Sequence, residues 1–397
     1  MTTQVIRCGT LFDGTGAAPI PRGVVVVEDG RITAVGRAAT TEVPAGAEVA
    51  DLGDRFVMPG LVDAHSHISI VPGMGDQIGQ LRQGPVPQAL RATANLRRDL
   101  LAGTTTMRVM AEESFLDIEV REAIEAGVVV GPRLLCATRG ITASNGHGRA
   151  FSSFDGVDEV RRGVRENFQR GADHVKIFAT GGVSSPGTTL KASVYTREEI
   201  RAAVEEAERV GAYAAAHAHG GPGLRLSVEE GVSTIEHGGL ATDEDIALMI
   251  ERRVWLICTF SIFLHPTGIE QGDGRRREIL DKLVAARRVV NENFPRHLAS
   301  GIRFACGTDS MHGLMPFELE TLVRFGVSNR DALLAGTRWG AEACRVAGEV
   351  GTLAPGKWAD LIAVDGNPLA EIEAMRRVTL VMKGGTTYEP VPGREAS

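Results

Sequence analysis

The chain has 397 residues, 43% of them apolar and 23% charged, with 48 glycines and a formal net charge of −7. That length suffices for a large core plus a smaller attached unit, and the charge offers no basis for a nucleic-acid or anionic-membrane partner. No uninterrupted run of about 18 apolar residues, the length that could span a membrane, occurs. The opening "MTTQVIRCGTLFDG" lacks the regions of a signal peptide. The five scattered cysteines form no CxxC pair and read as buried free thiols in a reducing cytoplasm.

Residues 1–55 read as antiparallel β structure, and "GVVVVEDGRITAVG" places two strands around Asp29-Gly30, a hairpin signal. From 56 to 345 the pattern alternates. Strand-like runs occur near 57–66, 104–110, 133–138, 174–178, 213–217, 233–236, 254–259 and 303–307, with helical segments between them. In "TREEIRAAVEEAERVG", Thr196 stands as N-cap and Glu199 at the capping-box position. Residues 346–397 return to strand and turn signals. Eight strands alternating with helices predict an α/β chain built as a (β/α)8 barrel over 56–345. The rival doubly wound sheet lacks its GxGxxG after an early strand. The two β-rich ends, 1–55 and 346–397, are expected to pair into one small sheet module.

In such a barrel, chemistry belongs to the C-terminal ends of the strands. The first ends "VDAHSH", and alternate residues share a face, so His65 and His67 can address one centre. The fifth ends at His217, the sixth at His237, and the eighth runs into Asp309 of "ACGTDS". Singly, each of these is more often a hydrogen-bonded histidine or a turn residue; together they form a metal-ligand constellation. Lys176, inside "GADHVKIFATGG", adds to it. A lysine in a buried strand is costly unless neutralised or paired. Desolvation favours its neutral amine, which can add CO2 and become a carbamate with two oxygen donors. The competing reading is a lysine snorkelling to the barrel mouth.

These motifs resemble the metal-dependent amidohydrolase superfamily over essentially the whole chain. "VMPGLVDAHSH" is similar to its first-strand signature; "GADHVKIFATGG", "AAHAHG", "TIEHGG" and "ACGTDS" follow in the family's order. "GTLAPGKWADLIAVDGNPL" resembles the segment that closes its β-sandwich. The resemblance implies a TIM barrel with a small β-sandwich made by both termini. It also implies two divalent metal ions, usually zinc. His65 and His67 would bind the more buried ion, with Asp309 and a carbamate on Lys176. That carbamate would bridge to a second ion held by His217 and His237. A metal-bridging hydroxide would attack the substrate, with Asp309 as base and then acid.

Deaminases of the superfamily generally lack a lysine at the fourth strand, so Lys176 points to amide hydrolysis. "ITASNGHGRAF" and the passage from "HAHG" to "VEEGVSTIEHG" resemble the prolidase-like, Xaa-amino-acid dipeptidase branch. On that resemblance His147 reaches the substrate and His219 meets the scissile carbonyl, although some members carry tyrosine at the latter position. For His147 the competing reading is a solvated loop histidine, and for His219 a partner orienting His217. Tyr195 and His312 are further substrate-binding candidates, and Arg275, Arg276 or Arg277 could meet a carboxylate. The expected substrate is a dipeptide (Xaa-Pro-like) or N-acyl amino acid, handled by a cytoplasmic homo-oligomer. The alternatives are a cyclic-amide hydrolase of the imidazolonepropionase type and a non-catalytic scaffold. The intact ligand set disfavours the scaffold.

Overall fold

A computed structural model describes residues 3–390. The N-terminal part contains β1 (Thr3–Leu11), β2 (Ile20–Glu28), β3 (Arg31–Arg37), β4 (Glu48–Asp51) and β5 (Phe56–Pro59). The β2–β3 hairpin turns where expected. Asp29 and Gly30 have φ of 48° and 80°, the paired positive values that match a two-residue turn to the twist of its strands.

Eight parallel strands follow. They are β6 (Leu61–Ser66), β7 (Thr104–Val109), β8 (Arg133–Cys136), β9 (Val175–Phe178), β10 (Ala214–Ala218), β11 (Thr234–His237), β12 (Trp255–Cys258) and β13 (Phe304–Cys306). They pair in chain order as a three-stranded sheet, β6 to β8, and a five-stranded sheet, β9 to β13. Every residue of β9 to β13 is buried, as parallel strands covered by helices require. Between the two sheets, Ile141 donates to the Lys176 carbonyl at 2.8 Å and accepts from Phe178 at 2.9 Å. At the other margin, Asp309 N donates to the His65 carbonyl at 2.8 Å.

The C-terminal part supplies β14 (Leu361–Val364), β15 (Val378–Lys383) and β16 (Thr386–Tyr388). Both ends of the chain then share one eight-stranded sheet, ordered β16-β15-β14-β5-β1-β2-β3 with β4 on β1. The join is the antiparallel pairing of β14 with β5. The continuous strand expected over 57–66 is therefore two strands in two sheets. The break falls at Gly60, where a side chain has no room, since a Cβ would lie 2.1 Å from Thr105 Oγ1.

The helix Arg197–Glu208 starts at the expected capping box, with Glu199 N on Thr196 Oγ1 and Thr196 N on Glu199 Oε2. Thr242 and Asp245 form a second box. All five cysteines are buried free thiols. No helix among the described residues is long and apolar enough to cross a membrane.

Candidate metal centre

His65 is the fifth residue of β6 and His67 follows its end, so the strand's alternation brings both rings to one side, 5.7 Å apart between centroids. Each ring is anchored through Nδ1. His65 Nδ1 donates to Glu236 Oε2 at 2.6 Å, and His67 Nδ1 donates to the Ala111 carbonyl at 2.8 Å. Their Nε2 atoms face Asp309 Oδ1 at 3.4 and 3.7 Å.

His217 and His237 are each held through one ring nitrogen as well. His217 donates from Nε2 to the Gly181 carbonyl at 3.2 Å, and His237 Nδ1 lies 2.8 Å from Thr259 Oγ1. Their rings are 4.6 Å apart, and His237 is 4.8 Å from His65. One ring nitrogen of each is thus held by a neighbour, which orients the ring, and His237 Nδ1 also lies 4.0 Å from Asp309 Oδ2. Burial holds His67 near a pKa of about 4 and pushes His217 and His237 well below the usual imidazole range. These rings are neutral, the form that binds a metal. His237 and Asp309 stand at φ of 73° and 48°, a left-handed backbone that non-glycine residues hold only where the surroundings force it.

Lys176 sits in the middle of β9 with no solvent exposure, and its Nζ has no hydrogen-bond partner. Burial brings its pKa down from 10.5 to about 8. Below it lies a pair missing from the sequence reading. Arg108 of β7 places Nη2 2.9 and 3.0 Å from the two oxygens of Glu236, and both residues are fully buried. Burial alone would raise the Glu236 pKa, but Arg108 and the His65 hydrogen bond hold it at about 2. The signal that singled out Lys176, a charge in an apolar strand, was present in "TTTMRVM" and "TIEHGG" as well.

The donor set fits a divalent cation. Glu236 is an ionised acceptor for the His65 Nδ1–H, so Nε2 is the ring nitrogen left to serve as a ligand, and that buried atom has no hydrogen-bond partner beside the Asp309 carboxylate. Two acceptors facing each other are stable when a cation lies between them. Ligand atoms of His65, His237 and Asp309 lie within 4.8 Å of one another. This trio crosses the expected division, which assigned His65 and His237 to different ions.

Residues 56–388 match the amidohydrolase family. The chain belongs to that family. It is 30% identical to an ochratoxinase of Aspergillus niger, over 97% of this chain and 86% of the relative. An imidazolonepropionase of Nocardia farcinica is 26% identical, over 89% and 88%. The structure of a prolidase complexed with N-methylphosphonate-L-proline superposes with a TM-score of 0.90 at 28% identity, over 98% of this chain and all of that one. This amidohydrolase is an enzyme, a hydrolase of amide bonds.

Of the expected substrate residues, the amidohydrolase brings two to the cleft. His147 and His219 line it with His65, His67, Lys176 and Asp309. His147 is 4.5 Å from the His217 ring and its Nδ1 is 2.7 Å from Ser185 Oγ. His219 is 5.0 Å from the His237 ring, and its buried Nδ1 is unpartnered. Burial lowers their pKa values to about 3 and about 4.

Two others stand elsewhere. Tyr195 donates its hydroxyl to the Phe154 carbonyl at 2.8 Å within the apolar core. His312 turns away from the cleft, with Nδ1 2.8 Å from Asp99 and Nε2 2.9 Å from the Ile70 carbonyl. Arg276 pairs with Asp76 at 3.2 Å and Asp273 at 3.6 Å, and Arg277 with Asp281 at 3.7 Å. The rest of the cleft wall is mostly apolar, including Ile70, Ile78, Leu81, Ile262, Phe263 and Ile269, with Gln77 and Ser184 as its polar members.

Proposed function

We propose that this amidohydrolase is a binuclear enzyme that cleaves the amide bond of a dipeptide (Xaa-Pro-like) or N-acyl amino acid with apolar side chains. The facing acceptors of His65 and Asp309, beside an unpartnered buried lysine amine, are the observation that carries it. His65, His67 and Asp309 would hold one divalent ion, His217 and His237 a second, and a carbamate on Lys176 would join them. Zinc suits the mixed nitrogen and oxygen donors. Such ions supply a Lewis acid for the carbonyl and lower the pKa of water toward neutrality.

The protein's own groups do the rest. Asp309 takes the proton released by the attacking water and returns it to the leaving nitrogen. His219 offers its free ring nitrogen to the carbonyl oxygen as charge builds there. His147, held by Ser185, positions the substrate, and the apolar wall excludes water and receives hydrophobic groups. The two parallel sheets serve as arcs of one (β/α)8 barrel within 56–345, its first strand starting at Leu61. The described residues of segments 1–55 and 346–397, joined through β5, are read as the attached β-sandwich domain. The enzyme acts in the cytoplasm as a homo-oligomer.

One observation favours a second reading. Among the described residues the cleft lining contains no arginine and no lysine besides Lys176, which suits a cyclic amide opened by water, since such a substrate presents no carboxylate next to the scissile bond. The similarity to an imidazolonepropionase points the same way. A mass-spectrometric survey separates the two. Zinc-loaded, bicarbonate-treated enzyme is given pools of dipeptides, N-acyl amino acids, imidazolones and ochratoxin. A parent that yields two fragments establishes the first reading, whereas gain of one water without fragmentation establishes the second. An amino-to-oxo change would overturn both.

A further inference from the structure

A second cavity lies at the opposite end of the parallel strands. Its wall includes Ser233, Val254 and Arg303, the residues immediately before β11, β12 and β13. The metal-centre residues His237 and Asp309 stand at or beyond the other ends of these strands. Four arginines line the cavity: Arg252, Arg253, Arg303 and Arg345. Glu342 is the carboxylate in the lining, and Arg338 occupies it at 2.7 Å. Arg252 reaches Glu251 at 3.7 Å, which leaves the positive charge of the other three uncompensated by the cavity wall.

Two of these side chains are held in place without being neutralised. Arg303 lies 4.1 Å over the Trp255 ring and Arg345 lies 4.8 Å over Tyr213. Arg345 also donates to Ser233 Oγ at 2.8 Å and to the Ala212 carbonyl at 3.4 Å. An aromatic face and neutral acceptors orient a guanidinium while its charge persists. The backbone adds a second observation. Arg253 and Arg345 each stand two residues past a helix end, at φ of 57° and 59°. Glycine is the inexpensive residue in that left-handed position, and here both places carry arginine facing one cavity. Compensation of the helix dipoles by cations accounts for their charge but not for their convergence.

We propose that this cavity is a binding site for a phosphate dianion, either free or as a phosphomonoester of a small metabolite. Fork-shaped donors match phosphate oxygens in pairs, and a doubly charged anion suits three uncompensated guanidinium groups. The site is independent of the amide-cleaving centre and does not rest on the substrate reading.

The test is calorimetric titration of the metal-loaded enzyme with inorganic phosphate and with ribose 5-phosphate at low ionic strength. The Arg253→Gln/Arg303→Gln double variant is titrated alongside, because phosphate also meets bound metal. The wild type should show a binding event that the variant weakens at least about tenfold, since charge-assisted hydrogen bonds are worth about that much or more each. The event should also weaken with added salt. An Arg253→Lys/Arg303→Lys variant, which keeps charge but loses the forks, should bind at intermediate strength and guards against a folding defect. The tighter of the two anions identifies the source of the phosphate. Identical isotherms in the wild type and the Gln variant at equal metal content would overturn the proposal, as would the absence of an event separable from the metal centre.

Discussion

Arg108 and Glu236, 128 residues apart, form a fully buried ion pair beside the candidate metal centre, and Glu236 Oε2 also holds His65. Arg108 Nε also donates to the Ala64 carbonyl at 2.6 Å, and the Thr234 hydroxyl donates to Glu236. The pair thus ties β6, β7 and β11 together and fixes which nitrogen of His65 faces inward. A carboxylate behind a metal-binding histidine orients the ring and raises its basicity.

Glu236→Gln keeps the shape but removes that charge. It should lower metal affinity by about 10- to 100-fold, read as metal content after dialysis against graded chelator. Retention of wild-type metal content would show that Glu236 serves stability alone.

Arg108→Met should instead act on stability. It leaves Glu236 buried without its cation, at a cost of about 3–5 kcal/mol. Urea unfolding of the variant should show this loss, and Arg108→Met/Glu236→Gln should regain part of it. An unaffected single variant would mean that water reaches the pair.

Lys176→Ala should lose most bound metal and activity, and short carboxylic acids should restore part of both by occupying the place of the lost side chain. Asp309→Asn should retain much of its metal while turnover falls by about 10²- to 10⁴-fold, the usual contribution of a positioned acid or base. Normal metal content in the first variant or normal turnover in the second would remove that residue from its proposed role.

His312 carries a pH prediction. Burial pushes its pKa down, but the Asp99 carboxylate outweighs this and the net shift is upward. Both ring nitrogens face acceptors, so the charged form is the one that fits. Its stabilisation is complete below the unfolded pKa of about 6.5 and is lost as pH rises through the higher folded value. Thermal unfolding of wild type and His312→Asn should differ most in mildly acidic solution and converge in alkaline solution. A gap that widens with pH would contradict the imidazolium assignment.

The eight parallel strands were legible because buried strands read as short apolar runs between turn signals, whatever their partners. That His65, His67, Lys176, His217, His237 and Asp309 would meet in one cleft was legible because each is a polar or charged residue within or just past such a run, in the order of the family's motifs. The split at Gly60 was passed over. "FVMPGLVDAHS" does carry a turn dipeptide, Pro59-Gly60, but the apolar run on both sides reads as one strand, and only the fold shows Gly60 packed where a Cβ would meet Thr105.

Loop histidines mark the same boundary. By local sequence His147 and His312 are equivalent, since each lies in a glycine-bearing loop beyond a strand. The route of the backbone sends His147 into the cleft beside His217 and His312 toward Asp99, 213 residues away in the chain. The sequence alone determined the kinds of element, their order and the chemistry at their ends, because these depend on periodicity and residue type within a few positions. Tertiary structure alone decided the partners. It set Arg108 on Glu236, His65 against Asp309 and four arginines around one cavity, because ion pairing and desolvation depend on distance in space and not on separation along the chain.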